Sequence, residues 1–125
     1  MAYESKIIIA NAHRENNEKS KNFGKVYFAE IVAVFNLSCM GYNNGWKELF
    51  DKEIDFDLYI EDGDNATRTD KYGAVMKEAE LGAVIEWLEN WADTNTYRRT
   101  PPLYASLKAL APGAWDELHI VHYGY

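Results

Sequence analysis

Cysteine is almost absent from this 125-residue chain, where Cys39 stands alone. One thiol builds neither a disulfide framework nor a thiolate metal site, so packing must hold the fold together. No basic residue adjoins Cys39, which therefore reads as a small core residue rather than a reactive one. Long apolar runs are also lacking: none approaches the roughly 20 residues of a membrane span. The first residues carry Glu4 and have no apolar signal core, so a cytoplasmic location is expected. There is no glycine-rich phosphate loop, nucleophile elbow or HExxH, and hence no motif that calls for a cofactor or names a reaction.

Positive charge is scarce. Thirteen Lys and Arg face twenty Asp and Glu, a net charge of −7. The imbalance is concentrated: from Lys47 to Asp93 there are 14 acids and 5 bases, or −9, against +2 elsewhere. Binding to nucleic-acid phosphates needs clustered Lys and Arg, so direct nucleic-acid binding is not expected. An acidic surface can instead draw in a basic protein partner, or it can simply keep a small protein dispersed.

What the chain does have is apolar and aromatic content. Hydrophobic residues make up 47% and tryptophan occurs four times, enough for one real core over residues 1–125. Lys25–Met40 is the longest apolar stretch. Read as a strand, it places Tyr27, Ala29, Ile31, Ala33, Phe35, Leu37 and Cys39 on one face, which suits the centre of a sheet. A helix with Phe28, Ile31, Val32 and Phe35 on one stripe is the alternative. A strand so long must bend or bulge, and a projecting edge could pair with a second copy to make a homodimer. Ser5–Ala12, with three consecutive isoleucines, reads as a first strand contacting both faces, and the polar loop 13–24 makes the two strands an antiparallel hairpin.

Gly41–Gly45 is a turn, and 46–50 a single helical turn. In Glu53–Glu61, Ile54, Phe56, Leu58 and Ile60 alternate with Asp55, Asp57, Tyr59 and Glu61, the pattern of a half-buried strand. Asp62–Asn65 is a turn and Thr67–Tyr72 a return strand ended by Gly73. Leu81, Val84, Ile85, Leu88 and Trp91 repeat at helical spacing, predicting a helix over 78–91 with Glu78 and Glu80 at its N-terminus. Thr100-Pro101-Pro102 opens a second helix carrying Leu103, Leu107 and Leu110, and Pro112-Gly113 ends it. Glu117–Tyr125 closes the chain as a strand. The expected fold class is therefore α+β: a mostly antiparallel sheet covered on one face by two C-terminal helices.

Three groups of residues could carry function. His13, His119 and His122 are the only histidines, and the last two fall on opposite faces of a strand, so they cannot share a metal there. With a carboxylate they would make a general acid–base site only if His13 approached one of them. Asp62, Asp64 and Asp70 fail the calcium-loop pattern, because positions six and twelve are Thr67 and Gly73. Tyr97, Arg98, Arg99 and Tyr104 combine stacking with phosphate-binding chemistry and would suit a small ligand or nucleotide. The acidic face Asp55, Asp57, Glu61, Asp62 and Asp64 would suit a basic partner. The leading expectation is a non-enzymatic interaction protein with no metal and no cofactor. Its size and charge match those of phage-encoded proteins that occupy nucleic-acid-binding surfaces. A ligand-binding domain is the alternative, and a histidine-based hydrolase ranks third.

Overall fold

A computed structural model of the protein describes residues 5–37, 47–60, 66–92 and 100–124. Its framework is a five-stranded antiparallel sheet. The strands are β1 (Ser5–Arg14), β2 (Val26–Leu37), β3 (Lys52–Glu53), β4 (Lys77–Ala79) and β5 (Leu118–Gly124), in the order β2-β1-β5-β4-β3. Two helices, α1 (Leu81–Ala92) and α2 (Thr100–Leu110), sit between β4 and β5 in the chain. This is the α+β arrangement expected, and among the described residues no helix is long and apolar enough to cross a membrane.

The strand at the heart of the sheet is β1, not the Lys25–Met40 stretch. Ile7, Ile8 and Ile9 are all fully buried, which requires a strand paired on both sides and covered on both faces. β1 meets both conditions: Ile8 lies between Val34 of β2 and Val121 of β5. Each such isoleucine contributes about 1.5–3 kcal/mol by leaving water. The two faces carry separate cores. Ile7, Ile9 and Ile120 pack with Val84 and Leu88 of α1 and with Leu103 and Leu107 of α2. Ile8, Ala10 and Val121 pack under Ile54, Phe56, Leu58 and Met76. The helices thus cover one face as expected, and an irregular arm of the chain covers the other.

The apolar stretch forms β2, a strand rather than a helix, at the edge of the sheet. Its expected single apolar face is broken by a bulge. Ile9 lies opposite Ala33 and Ala10 opposite Ile31, so Val32 is skipped. Beyond that point Ala29 and Ile31 join the second-face core, while Ala33, Phe35 and Leu37 remain on the helix side. A second irregularity skips Tyr27, which is 70% exposed. Cys39, the 41–45 turn and Trp46 lie outside the described residues; a 3₁₀ turn follows at Lys47–Leu49. The hairpin loop closes as expected, with Glu15 N bonding Lys25 O and Gly24 at φ +82° bonding back to Glu15 O.

Three further expectations change. Of the expected strand Glu53–Glu61, the described residues 53–60 alternate in burial through Ile54, Phe56 and Leu58, but only Lys52–Glu53 joins the sheet. The alternation comes from an extended arm lying across the second face, tied by Ile54 N to Met76 O and by a two-way bridge between Leu58 and Thr67. Thr67–Tyr72 forms no regular strand; its β-pairing is limited to that bridge and one between Thr69 and Val75, with Gly73 at φ +85° turning the chain. The helix starts at Leu81, so Glu78 is not at its N-terminus. Glu78 belongs to β4 and lies opposite Val121. Helical spacing from Leu81 onward cannot locate the start, which depends on strand pairing before it. The side chain of Trp91 lies outside the described set. α2 ends at Pro112-Gly113 as expected: Trp115 folds back to donate its Nε1–H to Leu110 O at 2.7 Å, and a Cβ on Gly113 would strike its indole.

Candidate functional site

The sheet end where β1, β4 and β5 meet carries a charged network. β5 places His119 on the second face, against the ring of Phe56 at 4.7 Å. Its Nδ1–H donates to Glu78 Oε2 at 2.9 Å and its Nε2–H to Glu117 Oε1 at 2.6 Å. Carboxylates only accept, so both ring nitrogens carry protons and the ring is an imidazolium. Burial opposes that charge, yet the two carboxylates outweigh it and raise the pKa above its ordinary 6.5. Arg14 grips Glu117 bidentately, Nε to Oε2 and Nη2 to Oε1, both at 2.8 Å. The Arg14 hydrogen bond, against burial and with help from His119, holds the Glu117 carboxyl down at about 2. Arg14 also reaches Asp55 at 3.5 Å and Gly24 O at 3.0 Å. The cluster therefore ties β1, β4, β5 and the arm together. Its carboxylates lie at opposite nitrogens of one ring instead of converging on a point, and among the described residues no group of His, Cys, Asp or Glu is placed to hold a metal ion.

The other two histidines sit elsewhere. His122 is on the opposite face of β5, buried, sharing a 2.8 Å hydrogen bond between Nε2 and the Ser5 hydroxyl and lying edge-on to Phe50. Burial, with the charge of Lys47 in support, pushes its pKa down to about 3. His13 stacks on Phe28 and contacts Asp116 Oδ2 through Nδ1 at 2.6 Å. The three imidazoles thus occupy three different surroundings, and the arrangement needed for a shared acid–base centre is not what the fold builds.

A recess of about 250 Å³ opens beside the edge of the sheet. Residues 26–29 of β2 form one wall, and Phe56, Asp57, Tyr59, Ala66 and Arg68 form the rest. Tyr27 and Tyr59 stand at it 70% and 58% exposed. Arg68 Nε donates to Asp57 Oδ1 at 2.9 Å. Along the arm, Asp51, Glu53, Asp55 and Asp57 all face water, with Tyr59 following in the same alternation.

Of the residues singled out from the sequence, Asp55 and Asp57 lie exposed on this acidic arm, Asp55 3.5 Å from Arg14 and Asp57 hydrogen-bonded to Arg68. Glu61, Asp62 and Asp64 lie outside the described residues, as do Tyr97, Arg98 and Arg99. Tyr104 is half-buried on α2 against the helix-side core, with Lys108 Nζ 5.4 Å above its ring, on the face away from the recess. Sequence reasoning missed the recess. The alternation of 54–60 puts Tyr59 on the outer face, where it lies, whereas strand alternation puts Tyr27 on an apolar face that the bulges dissolve, and Arg68 carries no sequence signal. No protein-family model, curated protein or solved structure matches the chain.

Proposed function

We propose that this protein acts by binding a basic surface of another protein, in the manner of a small inhibitor, rather than by catalysing a reaction. The observation that carries the reading is that two exposed tyrosines, Tyr27 and Tyr59, line one recess with Asp57, at the end of an exposed acidic arm that runs through Asp51, Glu53 and Asp55. Exposed large aromatics grouped at a concavity are characteristic of binding hot spots, where a few such side chains supply most of the affinity. The carboxylates steer a cationic partner toward them, and the net charge of −7 repels nucleic acid. A basic surface that normally holds nucleic acid is a natural target for such a face. The histidine cluster supports the arm behind it through Phe56 and Asp55, which makes it a brace for the binding face.

The test is affinity capture from the natural host with the wild-type chain and a Tyr27→Ala/Tyr59→Ala variant, washed at low and high salt. One basic protein retained by the wild type, released by salt and lost in the variant is the expected outcome. Capture that is indifferent to both the salt and the tyrosines would sink the proposal, because exposed charge contacts are screened within about 10 Å at 0.1 M salt.

A further inference from the structure

We infer that the outer side of β2 and the recess beside it dock an extended, lysine- or arginine-bearing strand of the partner, with one cationic side chain entering the recess. This rests on the binding function proposed above and adds its mode. β2 runs for 12 residues with β1 on one side only, and among the described residues no strand pairs with its other side. Such an edge presents backbone N–H and C=O groups to an incoming strand. The usual deterrents are sparse here. β2 has no proline and a single charged residue, Glu30, and between its two bulges residues 28–31 run unbroken against residues 10–13 of β1. That unbroken stretch overlaps the recess wall at 28–29.

The recess selects the occupant. At about 250 Å³ it falls below the roughly 300–1,000 Å³ of sites that enclose a whole small-molecule ligand, and suits a single side chain. Tyr27 and Tyr59 offer aromatic faces, which attract a cation, and an entering lysine or arginine would compete with Arg68, which also lines the recess, for the Asp57 carboxylate. The acidic row Asp51, Glu53 and Asp55 lies farther along the arm, toward the opposite sheet edge at β3, and adds long-range attraction for a basic partner rather than contacts to the docked strand. A second copy of this chain would bring another −7 to the interface, so its own β2 is the less favoured occupant. Main-chain pairing would supply affinity and the recess would supply specificity.

Amide chemical-shift mapping of the labelled protein tests this with three peptides. They are a short peptide alternating lysine and threonine, its glutamate counterpart, and the lysine peptide N-methylated at alternate residues. The expected result is that the lysine peptide shifts amides within 26–31 and 56–59, and that N-methylation weakens binding about tenfold. Tyr27→Ala/Tyr59→Ala should weaken it by a similar factor, with helical circular dichroism unchanged because both side chains are mostly exposed. The glutamate peptide should not bind. Shifts confined to 51–57, indifferent to N-methylation and to the tyrosines, would overturn strand docking while leaving the basic-partner function standing. No binding of the lysine peptide at low salt would overturn both. Concentration-dependent self-association through β2 would give the edge to a second copy, and binding of the glutamate peptide would reverse the charge logic; either overturns the inference.

Discussion

His122 should make the protein acid-sensitive well above the pH at which its carboxylates protonate. The imidazole is buried and neutral in the fold, held down to about 3, whereas the unfolded chain titrates near 6.5. Between those values the unfolded state binds a proton that the folded state refuses. The stability it contributes is therefore present above 6.5 and lost as pH falls toward 3. At pH 5, which is 1.5 below 6.5, the loss is about 2 kcal/mol, at about 1.36 kcal/mol per pH unit. That figure holds for any folded value well below 5. Glu117, held at about 2 against an ordinary 4.5, adds its own loss only at lower pH. The assay is urea unfolding followed by tryptophan fluorescence at pH 7 and pH 5, in wild type and in His122→Gln. With a slope of roughly 1–3 kcal/mol/M, the wild-type midpoint should fall by about 1 M more than that of the variant. The difference between the two proteins cancels every group they share. Equal pH 7-to-5 losses in both, or an NMR titration of the folded His122 with a midpoint near 6.5, would refute the reasoning.

Other expectations follow from the same geometry. His119 has the opposite sign, because its folded pKa is raised: its contribution is full below 6.5 and is lost as pH rises through the folded value. Glu78→Gln replaces a charge-assisted bond with a neutral one, so it should cost about 1 kcal/mol at pH 6 by urea unfolding and lower the midpoint of the folded His119 titration followed by NMR; an unchanged midpoint would show that Glu78 does not stabilise the charged ring. Ile8→Ala should destabilise by about 2–5 kcal/mol, whereas Val34→Ala opposite it, 46% exposed at the edge, should cost far less; similar losses would contradict the strand order. Gly73→Ala, at φ +85° with open space around the site, should lose about 1 kcal/mol through backbone strain alone. An unchanged thermal midpoint would argue against that turn.

Local patterns in the sequence were readable where one residue type repeats with a period. The isoleucine run of β1, the 3.6-residue spacing in Leu81–Leu88, the proline start of α2 and the alternation of Ile54, Phe56 and Leu58 all reappear in the fold. What periodicity cannot supply is the identity of the partner surface. The alternation at 54–58 comes from an arm lying on a sheet, and a strand at the sheet edge would look the same. β2 read as central because it is apolar, but strand order depends on non-local pairing, and three buried isoleucines outrank a longer and more exposed run. The bulges at Val32 and Tyr27 reassign faces with no local signal. Glu78 belonged to a helix by proximity and to a strand by its pairing with Val121. The acidic charge of the arm is visible in the sequence, whereas the recess exists only because residues 26–29 come together with Phe56, Asp57, Tyr59, Ala66 and Arg68, distant in sequence.

The most direct test of binding through the Tyr27–Tyr59 face is photo-crosslinking inside the host. A benzophenone side chain would be placed singly at Tyr27, at Tyr59 and, on the helix layer opposite, at exposed Ala109. Crosslinks from positions 27 and 59 to one and the same basic protein, with none from 109, are the expected result. Crosslinks from 109 alone, or equal labelling of unrelated proteins from all three positions, would contradict it.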